Sequence, residues 1–263
     1  MSSTPPSAAP LIASLRANLC AVRDRLDAAA RSVGREPSEV QLLPVTKSVP
    51  PRIALALADV LDEGRRGSAG APAPIEFAEN RPGSLEAKRA AFAEAGRPVR
   101  WHFIGHLQRN KARRVVRAVE VLHSVDSLRL AETLARVCAE EERQLDVYLQ
   151  VNCTGEEQKH GLDPTHLGEV AALVADAPTL TLRGLMAMGP LVERPGWTTP
   201  EVFTRVAALA RKLEDEGDVP LAGGRCALSL GMSADLEAAV AAGSTCVRIG
   251  SDLFRGLDPG AAA

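Results

Sequence analysis

The chain has 263 residues, 46% hydrophobic and 24% charged, ordinary values for a globular protein and enough for one large domain or two small ones. Its net charge of −2, with acidic and basic residues intermixed, gives no electrostatic case for nucleic acid or an anionic membrane. Aromatic content is only 3%, so the core must be built from aliphatic side chains.

In chain order, a Ser/Pro/Ala tail over 1–10 is expected to be disordered and is followed by the body of the chain, 11–258. The tail has neither a basic nor an apolar region, so it does not read as a signal peptide. Residues 11–33 place Leu11, Leu15, Leu19, Val22 and Leu26 on one helical face, and Gly34 ends that helix. Strand-like runs then recur at 40–46, 75–77, 99–104, 121–125, 147–152, 180–186, 227–230 and 245–249. Helical stretches fill the intervals at 52–63, 84–95, 107–119, 127–143, 165–176, 200–216 and 233–242. Regular alternation of strands and helices implies βαβ units and a parallel sheet. Eight units over about 250 residues suggest a closed α/β barrel, a (β/α)8 TIM barrel, with one extra helix in front; an open doubly wound sheet is the alternative. Residues 65–74 and 190–200 read as exposed loops. The longest apolar runs fall short of the roughly 20 residues that span a bilayer, and a cytoplasmic location is expected. The five cysteines are scattered and form no C-x-x-C pair, as expected of buried reduced thiols.

Such barrels carry their chemistry at the C-terminal ends of the strands. The first strand there ends in Lys47, the second in Glu79-Asn80, the third in Gly105-His106 and the fifth in Asn152. Strand seven runs into S-L-G-M-S (229–233) and strand eight into R-I-G-S (248–251). Glycines that admit a ligand to the backbone, beside serine hydroxyls and after these last two strands, mark the usual phosphate position of the fold. A lysine at a strand end is ordinarily only solvated. Across the mouth from a phosphate cup, it can instead form a Schiff base with an aldehyde, and this pair of features is what pyridoxal 5'-phosphate (PLP) requires. His102 and His106 are four apart, but the strand and Gly105 keep them off one helical face, so no metal site is expected. The basic run 111–117 reads as the outer face of a barrel helix.

P-V-T-K, the E-N pair, W-H-F-I-G-x-L-Q-x-N-K (101–111), Q-V-N (150–152), K-x-G-L (159–162), R-G-L-M (183–186), L-S-L-G-M-S-A-D-L-E-A-A-V-A-A-G-S-T (228–245) and V-R-I-G (247–250) together resemble the pyridoxal-phosphate homeostasis protein family. The resemblance runs from about residue 11 to 256. It implies a single-domain barrel related to the N-terminal domain of alanine racemase, with PLP as cofactor. By position, Lys47 would carry the Schiff base, Asn80 would lie near the ring, and Arg248 would face the pyridine nitrogen. Ser229, Ser233, Gly250 and Ser251 would hold the phosphate. Two departures stand out: A-E-N-R (78–81) replaces G-E-N-Y, and His106 replaces the proline of F-I-G-P.

The family is regarded as a PLP carrier or regulator of vitamin B6 and amino-acid balance. PLP-dependent apoenzymes are the implied recipients, and no catalytic residues are assigned. The alternative is a PLP-dependent amino-acid racemase. Racemisation needs a second base, which in the related racemases comes from a C-terminal β-domain of a partner subunit; the sequence stops soon after strand eight, so a monomeric carrier is expected. An arginine at the pyridine nitrogen also disfavours protonation of the ring and weakens it as an electron sink. A Schiff-base aldolase without PLP would use the same lysine but no partner for the pyridine nitrogen.

Overall fold

A computed structural model describes residues 8–64, 74–154, 156 and 160–257. The 65–74 loop therefore falls outside the described residues except at Pro74, as does the tail up to residue 7. Helix α1 (Ala8–Ser32) begins inside the span read as tail.

Eight parallel strands follow: β1 (Gln41–Pro44), β2 (Ile75–Glu79), β3 (Val99–Phe103), β4 (Val121–Val125), β5 (Leu145–Gln150), β6 (Leu180–Met186), β7 (Ala227–Ser229) and β8 (Cys246–Ile249). They pair in sequence from β2 to β8, β8 pairs with β1, and a single parallel bridge from Val45 to Ala78 brings β1 back to β2. The sheet is thus a nearly closed barrel. Helices α2 (Pro51–Glu63), α3 (Pro82–Glu94), α4 (Ala112–Val116), α5 (Leu128–Glu140), α6 (Leu167–Asp176), α7 (Thr199–Glu216) and α8 (Leu236–Ala241) alternate with the strands.

The main core lies between the sheet and this ring of helices. Leu15, Leu19, Val22 and Leu26 of α1 are all buried in it, as their spacing predicts. The interior of the barrel is different in kind. Small apolar clusters, one of Leu43, Val45, Ala78 and Cys246 and one of Val121, Tyr148 and Met186, share it with buried polar side chains.

Three predicted helices are shorter than their patterns by four residues or more; α5 stops at Glu140, short of the 143 its pattern predicts, where Glu142 takes a φ of +52°. Within 107–119 a 3₁₀ turn (Arg109–Lys111) leads into α4, because Gln108 is extended and Leu107 is buried in the core. The stretch 233–242 becomes helical only at Leu236, because Asp235 Oδ1 accepts a 2.6 Å bond from the Met232 N–H and holds a turn there. Arg113, Arg114 and Arg117 of the basic run pair with Glu140, Glu141 and Glu86 on the neighbouring helices. Four cysteines are buried, and Cys20, on the outer side of α1, is exposed.

Candidate functional site at the barrel mouth

Lys47 stands just past β1, exposed, directly after the fully buried Thr46. Its position is set from both sides. On one side the Val45 N–H bonds the Ile249 carbonyl at 2.8 Å; on the other the Thr46 N–H bonds the Ala78 carbonyl at 3.0 Å. Lys47 therefore emerges between the Glu79-Asn80 end of β2 and the Gly250-Ser251 end of β8. Asn80 is half-buried and Ser251 exposed.

Beneath the lysine is a buried ion pair that spacing alone did not single out. Glu79 and Lys88 are both essentially inaccessible, and Lys88 Nζ lies 2.7 Å from Glu79 Oε1. The same oxygen accepts a 2.6 Å bond from the Thr46 hydroxyl, and Lys88 also donates to Ser84 Oγ at 2.9 Å. Glu79 Oε2 is buried with no hydrogen-bond partner among the described residues. The cluster ties the residue before Lys47 to the residue before Asn80. A signal for it exists in the sequence: Lys88 falls on the apolar stripe of α3, between Leu85 and Phe92, where a lysine needs a buried partner.

The loops after β7 and β8 are held from behind by α1. Arg25 donates to the Ser233 carbonyl at 2.7 Å and to Asp252 Oδ2 at 3.0 Å, and forms a two-pronged pair with Glu237. Asn18, seven residues earlier, donates to the Leu253 and Arg255 carbonyls at 3.1 and 3.0 Å. The extra front helix thus fixes both candidate phosphate loops. Gly231 is required in the first of them. Its φ is +89°, and a Cβ there would lie 2.4 Å from the Ala239 Cβ, so any side chain would displace α8 from the loop. Gly250 is close to the same limit, since a Cβ would meet the Val45 carbonyl at 3.1 Å.

Arg248 points into the barrel and is 4% exposed. It donates to the Ser229 carbonyl at 2.5 Å, to Ser229 Oγ at 2.8 Å and to the Ala187 carbonyl at 3.1 Å, and burial pulls its pKa below the usual guanidinium value. Ser229 lies below the mouth. It is fully buried, and its hydroxyl is engaged by Arg248 and by His123 Nδ1 at 2.9 Å. It supports the arginine from within the barrel.

From Ser229 a polar chain crosses the barrel. His123 Nε2 lies 2.8 Å from His102 Nδ1, and His123 stacks on Tyr148 with centroids 4.4 Å apart. His102 Nε2 ends the chain 3.7 Å from Glu76 Oε2, too far for a hydrogen bond. Arginine can only donate, and the carboxylate favours an N–H at His102 Nε2. The consistent proton assignment therefore runs one way: Ser229 O–H to His123 Nδ1, then His123 Nε2–H to His102 Nδ1. Both rings are neutral in it. Burial, reinforced by Arg100 and Arg183, pushes His102 down to about 3; burial, then His102 and Arg248, pushes His123 well below its usual range.

This arrangement makes stability pH-dependent. An unfolded histidine titrates near pH 6.5, so below that pH the unfolded chain takes up protons that the folded rings refuse. Stability is full above pH 6.5 or so and falls as pH drops, by about 1.4 kcal/mol per pH unit for each ring, down to about 3 for His102. Urea unfolding at pH 7.5 and 5.5 is expected to differ by about 2–3 kcal/mol in favour of the higher pH. The same difference measured in a His102→Gln, His123→Gln variant should largely vanish; an unchanged difference would place its origin elsewhere.

The structure thus brings Lys47, Asn80, Ser233, Gly250 and Ser251 to one mouth, with Arg248 fixed in the interior below them. The donor set suits a phosphorylated aldehyde: an exposed primary amine, a buried guanidinium held by three carbonyl or hydroxyl oxygens, and two glycine-serine loops close-packed against the wall.

The alanine racemase N-terminal domain model matches residues 17–258. The pyridoxal phosphate homeostasis protein of Escherichia coli (strain K12) is 40% identical over 248 residues, covering 92% of this chain and 96% of that protein. Among solved structures, a protein of unknown function from Bifidobacterium adolescentis matches with a TM-score of 0.81 at 30% identity, over 95% of this chain and 98% of the other. PipY of Synechococcus elongatus PCC7942, solved with PLP bound, matches with a TM-score of 0.72 at 30% identity, over 91% of this chain and 99% of its own. The chain belongs to the alanine racemase N-terminal domain family, in the branch of the pyridoxal phosphate homeostasis proteins.

Proposed function

We propose that this protein binds PLP through Lys47 and serves PLP (vitamin B6) and amino-acid homeostasis in the cytoplasm as a monomeric carrier. The observation that carries this reading is the placement of an exposed lysine between the ends of β2 and β8, at the mouth of a barrel whose interior holds a fixed arginine. The name of the E. coli relative and the PLP bound to PipY support it.

When bound, PLP supplies an aldehyde carbon that a primary amine can attack and a phosphate dianion that backbone N–H groups can cradle. Lys47 is the attacking amine, and its exposure leaves it accessible. Ser233, Gly250 and Ser251 offer the phosphate contacts, and Arg25 keeps those loops in place. Asn80 flanks the ring. Arg248, with its guanidinium held by Ser229 and the Ala187 carbonyl, meets the pyridine nitrogen as a donor. A donor that keeps its proton leaves that nitrogen unprotonated, which favours holding the cofactor over stabilising carbanions.

PLP-dependent apoenzymes are the recipients that suit such a carrier. Met188, Leu191, Val192 and Met232 are exposed large apolar side chains beside the β6 and β7 loops, and an apolar patch at the rim suits a transient protein contact. The test is loading and transfer. Protein incubated with PLP should keep one equivalent through gel filtration and restore activity to a PLP-requiring apoenzyme across a mixing experiment. Failure to retain PLP would defeat the reading; retention without transfer would leave storage as the function and remove delivery.

A further inference from the structure

A second cluster stands at the mouth over β3, β4 and β5, across the barrel from the β7 and β8 loops. His106, three residues past β3, places Nδ1 2.9 Å from Oδ2 of Asp126, the residue after β4. His160, from the loop after β5, stacks on His106 with centroids 3.7 Å and planes 11° apart. One ligating atom from each of the three lies within 4.8 Å of the other two. In a tetrahedral zinc site with bonds of 2.0–2.1 Å, ligand atoms stand about 3.3 Å apart, and because imidazole lone pairs lie in the ring plane, binding one ion requires the two exposed rings to turn out of their stack toward Asp126.

The positions are fixed from below. Ser124 Oγ donates to the Gly105 carbonyl beside His106 at 2.6 Å. Ser127 Oγ donates to Asp126 Oδ1 at 3.3 Å, and the Asp126 side chain is only 9% exposed. Gln150 Nε2 donates to the His160 carbonyl at 2.8 Å. A nearly buried carboxylate held by a hydroxyl, facing two stacked imidazoles, is a supported ligand set. The sequence reading expects no metal site because it weighs only the spacing of His102 and His106; the partners of His106 come from two other strand ends.

We infer that His106, Asp126 and His160 bind one divalent transition-metal ion of the zinc class, with two imidazoles and one carboxylate as ligands and a fourth position left to water or an anion. The proposal does not depend on PLP. Untagged full-length protein, stripped with chelator, is titrated with Zn²⁺ by calorimetry, with Co²⁺ as a coloured probe. One ion per chain is expected, with affinity reduced at least about tenfold in His106→Ala, His160→Ala and Asp126→Asn and retained in Lys47→Ala. Circular dichroism controls for folding, and the two histidines, being exposed, allow either variant to decide. No stoichiometric binding, unchanged affinity in either histidine variant, or loss of binding in Lys47→Ala would overturn the assignment.

Discussion

Lys47→Ala is expected to abolish stable PLP binding while leaving the fold intact. PLP retained through gel filtration should fall from one per chain to about a tenth or less, and the visible absorption of the loaded protein should disappear, because the covalent tether is gone. The lysine is exposed and follows the end of β1, so its removal should change stability by no more than about 0.5 kcal/mol. Urea unfolding beside the absorption spectrum separates the two effects. A variant that keeps the absorption would show that another amine holds the cofactor.

Lys88→Met is expected to have the largest effect on stability. The substitution leaves the Glu79 carboxylate buried without its cation, and Oε2 already lacks a hydrogen-bond partner among the described residues. Breaking a buried pair on one side costs about 3–5 kcal/mol. In a chain of this size that corresponds to roughly 6–20 °C in melting temperature. Adding Glu79→Gln to Lys88→Met should recover much of the loss by removing the stranded charge. Since Glu79 also holds Thr46, the single variant should bind PLP more weakly as well. A loss within 0.5 kcal/mol or so would mean that water reaches the carboxylate.

The strands were legible because parallel strands covered by helices are short apolar runs, and each run named above overlaps one of the eight. Strand ends were legible for the same reason, which is how Lys47, Asn80, Gly250 and Ser251 could be read toward one face. What sequence spacing could not show depends on closure. Ser229 and His123 are 106 positions apart and come from β7 and β4, strands that are not neighbours and meet only across the interior. Once they meet, Ser229 becomes a partner of Arg248. His106, Asp126 and His160 likewise come from three strand ends and share no local pattern. Arg25 is a different case. As a polar residue on an otherwise ordinary amphipathic helix, it gave no sign of the loops it holds until the helix was seen to pack behind them.

The most direct measurement is borohydride reduction of the PLP-loaded protein followed by peptide mass mapping. A single phosphopyridoxyl group on Lys47 is predicted. Labelling spread over surface lysines, or concentrated on another residue such as Lys111, would contradict the central claim.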